Sequence, residues 1–250
     1  MRLRTTFDAI AELYDRARPG YPPALLDDLA RLAGVGPGCR VLEIGPGTGQ
    51  LTVPLAERGC AVVAVELGAG MAAVARRNLR RFPAVEVVTA DFETWPVPAE
   101  RFDLVIGATA MHWIAPEVLA AKASAALRPG GKLATVETHH IEGGTKPFFI
   151  EVQDCYLRFD PATDEYFQMP TAADIPADGA AGRYEWDAAY PTADYLELLR
   201  TYSSTLALPQ SAADGLLDCI GRLIDRRYGG RITKHYLTQL LLGGRPEPSS

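Results

Sequence analysis

The chain has 250 residues, of which 48% are hydrophobic, and this is enough to bury one sizeable core. Its formal net charge is −6, and the basic residues form no dense run, which argues against a nucleic-acid-binding surface. No apolar run approaches the roughly 18 residues of a membrane-spanning helix, and the N-terminus lacks the apolar stretch of a signal peptide. We therefore expect a cytoplasmic protein, a monomer or homodimer, that acts on neither nucleic acid nor membrane.

The N-terminal 33 residues predict two short helices. Residues 7–18 place apolar side chains at helical spacing on one face, and residues 19–23 (PGYPP) end that helix. A second helix is predicted over residues 24–33, before Gly34. We expect one domain over residues 1–250, with residues 1–33 as an N-terminal helical lid and about 139–182 as an inserted cap.

From residue 41 onward, strands and helices alternate. The predicted strands are too apolar to have a wet face, so we expect a mostly parallel sheet covered by helices on both sides. The strands are predicted at 41–44, 61–65, 85–88, 102–106 and 132–137, and the helices at about 50–58, 70–81 and 115–127.

The C-terminal part has a different pattern. Residues 147–159 predict a helix, and residues 160–182 a loop rich in proline, aspartate and alanine. A strand at 183–190, helices at 192–203 and 211–228, and a last strand at 231–242, near an edge of the sheet, complete the prediction.

Four cysteines stand at positions 39, 60, 155 and 219. No pair has the spacing of a metal site or a redox motif. We expect all four to be reduced and mostly buried thiols.

A glycine-rich turn follows the first strand of the alternating region. Residues 41–50 (VLEIGPGTGQ) place Gly45, Gly47 and Gly49 between that strand and a helix. Glycines at such a turn let a ligand approach bare backbone, and the helix start offers unpaired N–H groups. The turn therefore predicts a site for a nucleotide-like cofactor.

Acidic residues around this turn narrow the choice of cofactor. Glu66 ends the second strand, where a carboxylate can accept hydrogen bonds from ribose hydroxyls, and Asp91 follows the third. Dinucleotide enzymes usually carry G-x-G-x-x-G, whereas Glu43 here precedes glycines at every second position. The negative charge of a carboxylate at position 43 would repel a pyrophosphate, but it would attract a cationic ligand. S-adenosylmethionine has a sulfonium, an ammonium and no phosphate.

At these motifs the chain resembles the class I S-adenosylmethionine-dependent methyltransferases. The matching segments are residues 41–49, 65–66, 90–92 (ADF), 102–105 (FDLV) and 127–131 (LRPGG), in the expected order. The opening residues 7–22 are similar to a small-molecule subgroup, the trans-aconitate methyltransferase-like enzymes. The resemblance implies a Rossmann-like, doubly wound, mostly parallel seven-stranded sheet with an antiparallel last strand and a small helical cap.

The resemblance also implies roles for the cofactor-binding residues, with S-adenosylhomocysteine as the product. The glycines line the methionine and ribose side, Glu66 holds the ribose hydroxyls, and Asp91 meets the adenine amino group. Alternatives are a solvated strand end for Glu66 and a turn cap for Asp91. The implied set is Tyr14, Arg18, Glu43, Gly45, Gly47, Gly49, Glu66, Leu67, Met71, Asp91, Phe92 and Ala108.

Two histidines and a tyrosine are the candidate catalytic residues. His112 follows the fourth strand and is a candidate base or hydrogen-bond donor, unless it only packs. Of His139 and His140, at most one points into the site, because side chains alternate along a strand; we favour His139. Tyr14 is a candidate for orienting the methyl group, and Arg18 for binding a carboxylate. The alternative for both is a helix packed on the sheet.

Two functions follow from these motifs. The first is transfer of a methyl group to an oxygen, nitrogen or carbon nucleophile of a small molecule. The second is a non-methylating reaction of an S-adenosylmethionine-binding enzyme, such as cyclisation, rearrangement or intramolecular alkyl transfer. S-adenosylhomocysteine after turnover would indicate the first; methylthioadenosine, or an unconsumed cofactor, would indicate the second.

Overall fold

A computed structural model describes residues 8–99, 101–160 and 167–246. These residues contain one seven-stranded sheet with the order β3-β2-β1-β4-β5-β7-β6. Strands β1 to β5 are parallel, and β7 runs antiparallel to both β5 and β6. The predicted fold class is confirmed. The strands are β1 Arg40–Ile44, β2 Ala61–Glu66, β3 Val85–Thr89, β4 Phe102–Ala108, β5 Leu127–Ile141, β6 Ala180–Pro191 and β7 Arg231–Gly244.

Helices connect these strands and extend beyond the sheet. The predicted helix at 147–159 is divided into α6 and α7. The predicted helix at 192–203 ends early, at Leu199 of α8, and α9 begins only at Ser203. The residues of the LRPGG motif, 127–131, lie inside the span of β5, where the pairing with β4 shifts register. The helices are α1 Ala11–Ala17, α2 Pro23–Ala33, α3 Thr52–Glu57, α4 Ala69–Leu79, α5 Pro116–Ala126, α6 Lys146–Glu151, α7 Gln153–Phe159, α8 Thr192–Leu199, α9 Ser203–Ala207 and α10 Gln210–Arg227. Among the described residues, none of the helices is both long and apolar enough to cross a bilayer.

Two apolar clusters cover the two faces of the parallel strands. Val41 and Leu104 belong to one cluster, whereas their neighbours Leu42 and Val105 belong to the other. Side chains alternate across a strand, so a strand that is apolar at every position buries both faces. This two-sided burial fixes the sheet and brings its carboxyl ends to one edge.

A third apolar cluster packs α6, α7, α8 and α10 against the first half of β7. Cys155 of α7 and Cys219 of α10 form a disulfide within it. The prediction of four reduced thiols is therefore wrong for this pair, because the fold brings together two cysteines that are 64 residues apart. Cys39 and Cys60 are free and buried, as predicted.

The last strand lies one position in from the edge of the sheet, in agreement with its predicted place near an edge. β7 lies between β5 and β6, and residues Tyr236–Leu240 are continuously buried. β6 lies at this edge of the sheet. Its residues are mostly half-buried or exposed, as expected for a strand with one face open to solvent. The proposed lid and cap extend in part over residues 1–7 and 161–166, which lie outside the described residues.

Candidate functional site

A cavity of about 330 Å³ lies at the carboxyl ends of β1, β2 and β4. This is the edge at which open parallel sheets bind their ligands. Most of the predicted site residues line it. They are Tyr14, Arg18, Gly45, Gly47, Glu66, Leu67, Met71, Asp91, Phe92, Ala108 and His112.

The glycine turn forms one wall of this cavity. Gly45 has a φ of +64° and Gly47 a φ of +61°, a region that side-chain-bearing residues rarely adopt. A Cβ at Gly45 would lie 2.6 Å from the Cβ of Ala110, so the close approach of the turn to β4 also requires glycine. Gly49 is not part of the lining; its N–H donates to the carbonyl of Pro46 and closes the turn.

Glu66 links the glycine turn to the start of α4. Its carboxylate accepts hydrogen bonds from the N–H of Gly47 (3.0 Å) and of Gly68 (2.9 Å). Burial raises the pKa of Glu66, although these backbone hydrogen bonds oppose the shift. A carboxylate fixed at this point can accept hydrogen bonds from a ligand, and it is not the solvated strand end of the alternative interpretation.

The residues around Asp91 have structural contacts and also line the cavity. The Asp91 carboxylate accepts a hydrogen bond from the N–H of Glu93 (3.0 Å), which is the turn cap of the alternative interpretation. Phe92 and Met71 are 5% and 4% exposed and belong to the apolar clusters, yet both contribute to the wall. Phe92 and Met71 therefore both pack in the core and line the cavity, because they lie at the boundary between the two.

Glu43 is buried beneath the glycine turn, outside the lining of the cavity. Its side chain is 1% exposed, and its Oε2 atom has no hydrogen-bond partner among the described residues. Burial raises the pKa of Glu43 to about 7, and the charge of Glu66 adds to the shift. A cationic ligand in the adjoining cavity would stabilise the ionised form of this carboxyl.

The N-terminal segment supplies three residues of the cavity wall, one of which was not predicted. The Asp8 carboxylate accepts hydrogen bonds from the N–H groups of Gly70 and Met71 at the start of α4. Tyr14 and Arg18 face the cavity, while Ala11 packs against α4. The helix is thus both packed on the domain and part of the site. Asp8 belongs to the opening motif (residues 7–22), and this motif was the sequence feature that could have indicated its place in the site.

The histidines are arranged differently from the prediction. His112 is exposed, lies 4.8 Å from the Trp113 ring and lines the cavity, so its predicted position agrees with the structure. His139 faces away and lies 3.5 Å from Glu137, whereas His140 points into a second cavity. His139 is in the described lining of neither cavity, because β5 presents the alternate residue, His140, to the second one. The sequence showed only that the two side chains alternate, and a catalytic role for His139 stays a prediction.

S-adenosylmethionine fits the residues of the first cavity. Asp8, Glu66 and Asp91 make the wall rich in carboxylates, which suits a sulfonium and an ammonium. The unpartnered buried oxygen of Glu43 belongs to a further carboxyl group, whose ionised form a cationic ligand would stabilise. The glycine turn provides bare backbone where a Cβ would fill the space.

Comparisons with known proteins agree with this geometry. Residues 41–131 match the model of the methyltransferase domain family. Methyltransferases of Mycobacterium tuberculosis and Mycobacterium bovis, both called uncharacterised, are 37% identical over 131 residues, which are 52% of this chain and 51% of theirs. The chain thus matches about half the length of these relatives. A demethylmenaquinone methyltransferase of Tropheryma whipplei is 27% identical over 66% of this chain and 73% of that protein.

Solved structures show the same fold over nearly the whole chain. A protein of Anaeromyxobacter dehalogenans, provisionally classed as a type II methyltransferase, matches with a TM-score of 0.64 and 25% identity, covering 93% of this chain and 99% of that one. Phosphoethanolamine N-methyltransferase 2 of Haemonchus contortus, solved with S-adenosylhomocysteine, has a TM-score of 0.50 and 19% identity, covering 96% of this chain and 60% of that one. Residues 41–131 therefore match the methyltransferase domain family, and the fold of the chain is one that solved methyltransferases share.

Proposed function

We propose that this protein transfers a methyl group from S-adenosylmethionine to an oxygen, nitrogen or carbon nucleophile of a small molecule by in-line displacement. The observation that carries this proposal is the carboxylate-rich cavity at the glycine turn, within a methyltransferase domain. The cofactor supplies an activated methyl group with a good leaving group. The protein therefore contributes mainly alignment and exclusion of water.

Each cofactor-facing residue has a proposed partner. Glu66 holds the ribose hydroxyls, Asp91 the adenine amino group, and Arg18 the methionine carboxylate. Glu43 compensates the ammonium charge through the glycine turn. Leu67, Met71 and Phe92 flank the adenine ring, and their position on the wall supports this arrangement.

Tyr14 and His112 are the candidate catalytic residues at the point of methyl transfer. Both line the cofactor cavity, and Tyr14 also lines the second cavity. We propose that Tyr14 orients the methyl group and that His112 donates a hydrogen bond to the acceptor or accepts its proton.

We also propose narrower assignments of subgroup and setting. Asp8, Tyr14 and Arg18 of the opening motif line the cavity, which supports membership of the trans-aconitate methyltransferase-like subgroup. Membership of a subgroup does not name the acceptor. The net charge of −6 supports a small-molecule substrate and no nucleic acid. We also propose that the enzyme is cytoplasmic. We propose a monomer or homodimer.

Binding of S-adenosylhomocysteine tests the proposal, with Glu66→Ala as the decisive variant. We expect the parent protein to bind and the variant to bind at least about tenfold more weakly, since losing charge-assisted hydrogen bonds costs roughly 1.5–3 kcal/mol. Calorimetry measures both affinities. Glu86→Ala, which removes an exposed carboxylate of β3, is the matched control and should bind like the parent. No binding to the parent protein would contradict the cofactor assignment.

We further propose that the N-terminal lid (residues 1–33) and the cap (about 139–182) close over the ligands. Tyr14 and Arg18 of the lid line the cofactor cavity, and His140 of the cap lines the second. We expect S-adenosylhomocysteine to slow tryptic cleavage after Arg16, on α1, and to leave cleavage after Arg81, beyond α4, unchanged. Mass spectrometry of the fragments measures both rates. Equal cleavage after Arg16 with and without ligand would count against the lid.

A further inference from the structure

A second cavity, of about 340 Å³, adjoins the cofactor cavity. Tyr14, Arg18 and Thr109 line both, so the two spaces share a wall. Thr109 has a φ of +52°, which is a strained backbone for a side-chain-bearing residue, and such strain clusters at functional sites. The second cavity therefore lies where a methyl acceptor would have to enter.

The two cavities differ in charge. The cofactor cavity has the carboxylates of Asp8, Glu66 and Asp91 in its wall, whereas the described lining of the second cavity has none. Its fixed charges are the cations Arg18 and Lys234. His140 stays neutral at neutral pH, because burial and the charges of Lys234 and His235 lower its pKa to about 3. The other titratable groups of this wall are Tyr14, Tyr21, Tyr202 and Tyr236. The second cavity therefore favours an anion.

Lys234 is the group best placed to receive that anion. Its side chain is 3% exposed, and its Nζ donates a hydrogen bond to the Tyr202 hydroxyl at 2.8 Å. Among the described ion pairs, no carboxylate lies within 4 Å of this ammonium. A buried ammonium without a counter-ion is costly, and an oxyanion bound beside it would offset that cost.

The hydrogen-bond donors of the second cavity suit an anion with one charged oxygen better than a carboxylate, which has two. Arg18 already directs its Nε to the Thr201 hydroxyl (2.9 Å) and one Nη to the Thr201 carbonyl (2.8 Å), and its other Nη is the one proposed for the methionine carboxylate of the cofactor. Arg18 therefore has no free pair of donors for a carboxylate of the acceptor. Lys234 remains as a point charge. The aromatic side chains around it provide flat walls for a planar molecule.

Both cations lie beside one of the cavity's own phenols, Tyr202. Burial alone would raise the pKa of Tyr202, but the charge of Lys234, its hydrogen bond and the charge of Arg18 together lower the pKa below its ordinary value. The same charges would act on a phenolic oxygen brought in by a ligand.

Building on the proposed function, we propose that the second cavity binds the methyl acceptor, a planar compound with an acidic hydroxyl such as a phenol or an enol, as its oxyanion held by Lys234. On binding, the O–H bond of the acceptor breaks, its electron pair stays on the oxygen, and the proton leaves to the buffer. Nothing is oxidised or reduced, and the oxyanion is then the nucleophile for methyl transfer.

The probe for this proposal is 4-nitrophenol, whose ionised form absorbs visible light. We expect protein saturated with S-adenosylhomocysteine to bind 4-nitrophenol and to convert it to the phenolate at a pH below the probe's own pKa. Lys234→Met keeps the length of the side chain without its charge, and it should weaken this binding at least about tenfold, the usual effect of losing a charge-assisted hydrogen bond. Lys132→Met, at a half-buried lysine of β5 outside both cavities, is the matched control and should behave like the parent.

The outcomes separate this inference from the proposed function. Equal ionisation by the parent and Lys234→Met would overturn it, provided that the variant still binds S-adenosylhomocysteine. So would tighter binding of 4-nitrobenzoate or 4-nitroaniline than of 4-nitrophenol, or no uptake of 4-nitrophenol by the parent. Failure of the parent to bind S-adenosylhomocysteine would instead overturn the methyltransferase proposal.

Discussion

Replacing Gly47 by valine should abolish binding of S-adenosylhomocysteine, with a loss of at least about a hundredfold, or roughly 2.8 kcal/mol. Gly47 lines the cofactor cavity with a φ of +61°, and an added Cβ would lie 3.5 Å from Gln50 and 3.6 Å from Tyr14. The Cβ alone makes ordinary contacts, but the two methyl groups of valine would extend into the ligand's space. Calorimetry measures the loss of affinity.

The fold should survive this substitution. A left-handed backbone costs a non-glycine residue roughly 1–2 kcal/mol, which is less than the 5–15 kcal/mol that typically stabilises a domain. Gly38→Val is the matched control, because Gly38 has a φ of +85° and open space where the Cβ would go. It should show similar destabilisation in urea and unchanged binding. If Gly47→Val retained the parent affinity, the ligand would not lie against this turn.

The position of the cofactor cavity could be predicted because its signals are local. A run such as residues 61–65 (AVVAV) that is apolar at every position is typical of a strand buried on both faces, and parallel strands bring their carboxyl ends to one edge. Residues that directly follow those strands, such as Gly45, Glu66 and Asp91, must then lie together. Their spacing in the sequence is enough to place them.

The features that were missed depend on contacts between distant segments. Cys155 contacts Cys219 only because α7 packs against α10, and no local spacing of cysteines in the sequence predicts this pair. Arg18 donates to Thr201 across 183 positions of the chain. Lys234 looks like any polar residue of a strand, and only the pairing of β7 between β5 and β6 buries it. The acceptor side of the site is therefore a product of the tertiary structure.

The pH dependence of stability should change when Glu43 is replaced by glutamine. Burial raises the pKa of the folded Glu43 to about 7 from its ordinary value of 4.5. Between these values the folded state holds a proton that the unfolded state has lost, so the contribution of Glu43 to stability falls as the pH rises. The full penalty, about 3 kcal/mol, is reached above pH 7. Below pH 4.5 both states are protonated and the penalty vanishes.

Urea unfolding of the parent and Glu43→Gln across this range measures the effect. The glutamine amide does not titrate, so it changes the free energy of unfolding by an amount that does not depend on pH. We therefore expect the difference in free energy of unfolding between the two proteins to grow by about 3 kcal/mol from pH 4.5 to pH 8. Glu86→Gln, at an exposed position, should give a difference that does not change with pH. A constant difference for Glu43→Gln would show that Glu43 is not protonated in the folded state near neutral pH.

The same measurement with ligand tests the proposed pairing of Glu43 with the cofactor's ammonium. A nearby cation favours the ionised carboxylate and lowers its pKa. Saturating S-adenosylhomocysteine should therefore flatten the fall in stability of the parent between pH 4.5 and pH 8, and it should leave the Glu43→Gln curve parallel to its ligand-free form. A parent curve as steep with ligand as without it would contradict that pairing, because the buried carboxyl would then ionise without help from the bound molecule.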